Sequence, residues 1–230
     1  MLRLHGRPAL TGGGNPATGV RQRSGARGPP CGTAFTSSVE RDILAPVSTV
    51  KKITTPLSAD VIADLRSGDE VEISGKVYTA RDAAHKRLVE MIGRGDELPF
   101  DLAGSVIFYV GPSPEPPGRP IGSAGPTTAY RMDAYAPTLI EHGLKGMIGK
   151  GGRNADVKKA IALHKAVYFG AIGGAAALLA RSIKTSKTIA FAELGAEAVR
   201  EIEVDGFPAV VVNDVYGGDL YEEGTAKYRA

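Results

Sequence analysis

Gly125-Pro126-Thr127-Thr128-Ala129-Tyr130-Arg131-Met132-Asp133 sets two hydroxyls and a guanidinium within five residues. Pro126 fits a first helical turn, where its missing N–H would be unpaired in any residue. The small residues 122–125 (Gly, Ser, Ala, Gly) let a ligand approach the backbone closely. A helix mouth with free N–H groups attracts an anion, and Arg131 adds a planar fork that matches a carboxylate. The stretch therefore reads as half of a carboxylate-binding site. Equally, it reads as an ordinary loop-to-helix turn with Thr127 and Thr128 as caps.

A second pattern lies upstream in Thr79-Ala80-Arg81-Asp82-Ala83-Ala84-His85-Lys86-Arg87-Leu88. Arg81 and His85 are four apart and share one face of a helix. His85 can take or give a proton near neutrality. Arg81 in a first turn opposes the helix dipole, which points to a use other than helix stability. Asp82, Lys86 and Arg87 leave a plain solvated face as the other reading. Downstream, Gly149-Lys150-Gly151-Gly152 resembles a phosphate loop only superficially. The Walker pattern needs glycine where Leu144 stands and Ser or Thr where Gly151 stands. His5, His142 and His164 have no partner pattern.

Composition narrows the classes. The chain has 230 residues, 43% of them hydrophobic, enough for one full core with an extension. Thirty glycines and no tryptophan fit a loop-rich α/β protein. Residues 1–45 hold six arginines against Glu40 and Asp42, net +4, whereas the whole chain is +3, so residues 46–230 carry −1. The basicity thus belongs to the N-terminal stretch, and no nucleic-acid surface is expected on the remainder. Cys31 is the single cysteine. It excludes an intramolecular disulfide and points to a reducing, cytoplasmic setting. It also excludes a cluster held by this chain alone, because iron–sulfur clusters take several thiolates. The longest uncharged stretch, Ala166 to Ala180, has 15 residues and three glycines, short of the roughly 20 apolar residues of a membrane span. No membrane association is expected.

The elements that must position these residues alternate between strand and helix. Residues 1–45, rich in Gly, Arg, Pro and Ser, read as a disordered or weakly ordered basic extension, with the acid-poor character of an organelle transit peptide or of an over-extended start. The globular part spans 46–230. An extended segment over 51–56 leads to a helix over 58–65 capped by Ser58. Residues 71–78 alternate around Ser74-Gly75, which predicts two short strands with a turn. A helix over 81–92 stops at Gly93, and a buried strand covers 104–110. Five prolines in residues 112–120 demand a surface loop. A helix from the Gly125-Pro126 turn to Glu141, a strand over 144–148, a helix over 155–165, a strand over 168–172 and a helix over 175–183 follow. Asp205-Gly206, between residues 199–204 and 209–212, signals a hairpin.

These motifs, with Lys52-Ile53-Thr54-Thr55-Pro56-Leu57, resemble in order the C-terminal domain of class I, iron–sulfur-dependent fumarate hydratases. The same module serves as the beta subunit of two-subunit fumarases and tartrate dehydratases. The resemblance runs from about Val50 to about Asp219. It implies an α/β fold of the swivelling β/β/α type, a compact mixed sheet with flanking helices. It also implies a hydro-lyase acting on a four-carbon dicarboxylate, first fumarate/(S)-malate and second L-tartrate. A 4Fe-4S cluster would be carried by a partner alpha subunit, in an alpha2beta2 assembly. His85 and Thr127 would be catalytic, and Arg81, Thr127, Thr128, Arg131 and Lys150 would bind substrate. No metal ligand is expected in this chain. A non-catalytic module that binds small anions is the alternative from another class.

Overall fold

The computed structural model describes residues 49–229. The extension expected over residues 1–45 lies outside the described residues. Strand β1 (Lys51–Thr54) runs parallel to the first half of β2 (Glu70–Thr79). Between them, α1 (Ala59–Asp64) starts where the sequence says it should: the Ser58 side chain accepts a hydrogen bond from the Val61 N–H at 3.3 Å.

The second half of β2 pairs in parallel with β3 (Val106–Phe108), followed by β4 (Gly146–Gly149) and β5 (Val167–Gly170). The long strand β7 (Val199–Asn213) then pairs antiparallel with both β5 and β2. Strands β2, β3, β4, β5 and β7 thereby close into a ring, with β1 and β6 (Ile183–Ala190) added at its margins. The protein is a mixed α/β structure.

Two expected turns are absent, and one cause explains both. Ser74-Gly75 does not separate two strands, and Asp205-Gly206 does not close a hairpin. Each is an irregularity inside a continuous strand, at the same level of the β2–β7 ladder, where the register shifts between Ile73 and Gly75. Gly75 has φ +102°, and a Cβ there would lie 2.7 Å from Thr55 Oγ1. The Gly206 N–H donates to Ser74 Oγ at 3.0 Å across the bend. Glycine inside a strand marks a bulge as readily as a turn. The paired bends let β2 serve β1 at one end and β3 at the other.

The periodic helices form, with shifted limits. Helix α2 (Asp82–Arg94) runs past Gly93 and ends at Gly95, which is left-handed at φ 72°. Helix α3 (Ala136–Glu141) is short, and α4 (Ala155–His164) is capped by Asn154, whose side chain accepts from the Val157 N–H. The helix expected over 175–183 is only α5 (Ala176–Leu179) with a 3-10 turn, and the chain then becomes β6. Its polar, largely exposed residues gave no apolar alternation to read. A last helix, α6 (Leu220–Tyr228), follows β7.

Side chains alternating along β3, β4 and β5 divide between two cores. Val106, Phe108, Ile148, Val167 and Phe169 pack with residues of β1, α1, β2 and β7. Ile107, Tyr109, Met147 and Tyr168 pack with α2, α3 and α4. Burial on both faces is what parallel strands require. Among the described residues no helix is long and apolar enough to cross a membrane.

Candidate active site

The expected substrate-binding residues emerge where parallel strands end. Arg81 follows β2, Tyr109 and Gly111 follow β3, and Lys150 follows β4. Carboxyl ends of parallel strands are where α/β sheets place ligands, because the chain must leave the sheet there and exposes loops.

Arg81 is the residue from which α2 springs, and its own side chain caps nothing. The cap comes from far along the chain: Glu197 Oε2 accepts from the Ala83 N–H at 3.1 Å. Glu197 Oε1 lies 3.3 Å from Arg81 Nη2. One carboxylate thus meets the positive end of the helix and holds the guanidinium beside it. Arg81 runs beside Gly111, where a Cβ would collide with Nη1, so any larger residue would displace the arginine.

The helix mouth expected at Gly125-Pro126-Thr127-Thr128 does not form. Pro126 bridges Val110 and Thr128 bridges Lys150 as short extensions of β3 and β4. The Thr127 N–H donates to Tyr109 O at 2.6 Å, and the Ala129 N–H to Lys150 O at 2.8 Å. Lys150 returns its own N–H to Thr127 O at 3.2 Å. The frayed ends of β3 and β4 offer unpaired backbone groups, and the segment completes them. A single 3-10 turn (Ala129–Met132) follows, and α3 begins only at Ala136. Backbone N–H groups of Thr127 and Ala129 are therefore not free for an anion, and recognition falls to side chains. The hydroxyls of Thr127 and Thr128 make no hydrogen bond to any described residue.

Arg131 projects from the 3-10 turn and pairs with Asp82, the first residue of α2, so the second motif is tied to the first. Among the described residues, Asp82 keeps one buried oxygen without a partner, as Arg81 keeps its Nε. Lys150 is exposed and has no ion pair among the described residues. Two arginines, a lysine and two threonines thus form one connected rim.

His85 lies beneath this rim rather than on it. Its relative exposure is 0%. Nδ1 is 3.0 Å from Arg81 O, Nε2 has no partner, and the ring stands edge-on to Tyr109 at 5.1 Å. Burial lowers the imidazole pKa from 6.5 to about 4, so the ring is neutral near pH 7. His85, expected as a catalytic residue, is thus enclosed below the rim rather than standing on its surface.

Below the rim the structure also places residues that the sequence did not single out. Arg153, with its side chain fully enclosed, donates through Nε to Asp133 Oδ1 at 2.7 Å and through Nη1 to the Tyr109 hydroxyl at 3.1 Å. Tyr168 donates its hydroxyl hydrogen to Gly151 O at 2.9 Å. Burial pushes both tyrosine pKa values up, so both hydroxyls keep their proton, Tyr168 as a donor and Tyr109 as an acceptor from Arg153. Asp133 stood inside a quoted motif and Arg153 directly after Gly151-Gly152. An arginine beside a glycine turn was the available signal.

Cavities of about 520 and 500 Å³ lie elsewhere, the first beside Thr55 and Tyr78, the second beside Arg153, Lys158 and Asp219. Neither includes Arg81, Thr127, Arg131 or Lys150. The described residues contain no cysteine and no group of three His, Cys, Asp or Glu able to hold a metal ion. They do not fit the thiolate requirement of a cluster.

The family described as "Fumarase C-terminus" matches residues 34–224. "Fumarate hydratase 2" of Leishmania major is 40% identical over 193 residues, 83% of this chain and 33% of that protein. "Fumarate hydratase class I, anaerobic" of Escherichia coli K12 is 43% identical over 155 residues, 66% of this chain and 28% of that protein. "Putative L(+)-tartrate dehydratase subunit beta" of Methanocaldococcus jannaschii is 40% identical over 172 residues, 72% of this chain and 88% of that protein. The chain spans about a third of the length of the fumarate hydratases it matches. With the match covering most of its length, the chain belongs to the fumarase C-terminus family.

Proposed function

We propose that this chain is the dicarboxylate-binding half of an iron–sulfur hydro-lyase, the counterpart of a beta subunit. The observation that carries the reading is the rim. Arg81 and Arg131 are each held along one edge by an acid, Glu197 and Asp82 respectively, while Lys150 has no ion pair among the described residues. A guanidinium fixed on one edge keeps other N–H donors for a substrate carboxylate, already oriented. Two carboxylates gripped in this way fix a floppy diacid in one pose, which removes much of the entropic barrier. The Thr127 and Thr128 hydroxyls bind beside them. In this proposal Thr127 binds first and, because an alcohol is a weak base, only second shares with His85 the role of moving the proton at the carbon next to a carboxylate.

The 4Fe-4S cluster belongs, in this proposal, to a cysteine-bearing alpha partner that covers the rim in an alpha2beta2 assembly. A two-part sheet hinged on β2 and β7 suits the swivelling β/β/α type. Fumarate/(S)-malate is the first substrate, matching the names of most relatives. L-tartrate is the second, favoured by the Methanocaldococcus relative, which this chain matches over 88% of its length. Assembly with a cluster-bearing alpha subunit of the family under anaerobic conditions tests this. Hydration of fumarate or dehydration of L-tartrate, followed by proton NMR, is expected from the mixture and not from this chain alone. A stoichiometric cluster forming on the isolated chain from iron and sulfide would overturn the division of labour. Diacid binding without turnover in the mixture would leave a non-catalytic anion module.

A further inference from the structure

We propose that Arg153 is the positioning residue that sets the distance between the Lys150 turn and the Thr127–Arg131 turn. The inference rests on the dicarboxylate-binding reading of that rim. A charged side chain wholly out of water is costly unless its partners are fixed around it. Arg153 has such partners at Nε, at Nη1 and on its faces, while its Nη2 is buried with no hydrogen-bond partner among the described residues. Nε meets Asp133 Oδ1 at 2.7 Å, and Nη1 meets the Tyr109 hydroxyl at 3.1 Å. The guanidinium lies 5.3 Å from the ring centre of Tyr109 and 5.0 Å from that of Tyr168.

Each of these partners leads to a different rim residue. Asp133 comes two residues after Arg131, and its other oxygen accepts from the Asn154 N–H at 2.8 Å. The Thr127–Arg131 turn and the Lys150 turn are therefore locked at two levels. Backbone bonds between Thr127, Ala129 and Lys150 join them at the top, and Asp133 with Arg153 and Asn154 joins them below. Tyr109 receives the Thr127 N–H on its carbonyl and packs its ring against His85, which is bonded to Arg81 O. Tyr168 holds the carbonyl of Gly151, next to Lys150. Only a planar fork can serve all of these directions. A lysine keeps the charge but cannot donate along two edges and stack on two rings.

Arg153→Lys in the full chain tests this, first by amide hydrogen exchange. Exchange at Ala129 and Lys150, the amides that join the two turns, is expected to speed up about tenfold or more while Ile202 and Val204 in β7 keep their protection. Unchanged exchange at Ala129 and Lys150 overturns the proposal. So does equal loss throughout the sheet, which would make Arg153 a folding residue only.

In the assembled enzyme the same variant should lower kcat/KM for the diacid about 10- to 100-fold, the effect of a clamp group displaced by about 1 Å. In a Lys150→Met background the further loss from Arg153→Lys should shrink, since both act through one carboxylate contact. Full additivity would overturn a role through Lys150. Should Arg153→Lys fail to fold, Tyr168→Phe carries the test, because it removes one hydroxyl and keeps the ring. It is expected to loosen the Lys150 amide and lower kcat/KM about fivefold, the worth of one hydrogen bond; no change in either overturns the proposal. A wild-type assembly inactive on every diacid would refute the hydro-lyase reading, while the exchange measurement would still decide the role of Arg153.

Discussion

The rim and the layer beneath it are made of the same residue types in opposite circumstances. On the rim, Arg131 and Lys150 stand in solvent, and the Arg131–Asp82 pair has side chains 41% and 28% exposed. Beneath, the Arg153–Asp133 pair has side chains 0% and 7% exposed. An exposed pair contributes little to stability and leaves its donors available to a ligand. A buried pair is rigid and costly to break, and it transmits position rather than binding anything. The difference teaches that the cations able to meet substrate are the ones whose loss the fold can tolerate.

Breaking the lower pair should give the largest effect. Asp133→Ala leaves the Arg153 charge buried without its carboxylate. It is expected to destabilise the folded chain by about 3–5 kcal/mol in denaturant titration, a large part of a typical domain's stability. The charge-neutral pair Asp133→Asn with Arg153→Met should cost much less. If it costs as much, packing and not the unpaired charge explains the lower layer.

The second test uses pH. His85 holds a pKa of about 4 in the folded state against 6.5 when unfolded. Between those values the unfolded chain binds a proton that the folded protein refuses, so stability is full above pH 6.5 and falls as pH drops toward 4. The loss over this window amounts to at most about 3 kcal/mol. His85→Leu should flatten that part of the stability profile, and the Arg81 carbonyl remains bonded by the residue 85 N–H. An unchanged slope would mean that the imidazole is charged in the fold and belongs with the rim after all.

The third test addresses the rim itself. Arg131→Lys should leave stability almost unaltered, yet lower kcat/KM of the assembled enzyme by about 1.5–3 kcal/mol, the range for hydrogen bonds to charged groups. Arg181→Lys, at an exposed position after α5, should stay within about 0.5 kcal/mol by either measure. Equal, minor effects at both positions would remove Arg131 from the site and end the contrast between the two layers.

Where a local interaction decides structure, the sequence is readable. Ser58 before α1 and the five prolines of residues 112–120 act through neighbours in the chain, and each does what its chemistry requires. Arg81, Thr127, Thr128, Arg131 and Lys150 were singled out from the sequence, Lys150 through the resemblance alone, but that their turns adjoin came only from the structure. Less legible was β6, because an exposed edge strand needs no apolar alternation. The two glycine signals at Gly75 and Gly206 were seen but misassigned, since a bend and a turn ask the same of a residue.

By itself the sequence determined which groups are available and where α1 and α4 begin, because capping and side-chain charge are set within a few residues. It also determined that a single cysteine cannot supply a cluster's thiolates. Only the tertiary structure decided what those groups do. It diverted the N–H groups of Thr127 and Ala129 into the extended edges of β3 and β4, which removed the anion-binding helix mouth. It put His85 beneath the surface and Arg153 at the centre of the support, because burial and pairing depend on which distant strand ends meet.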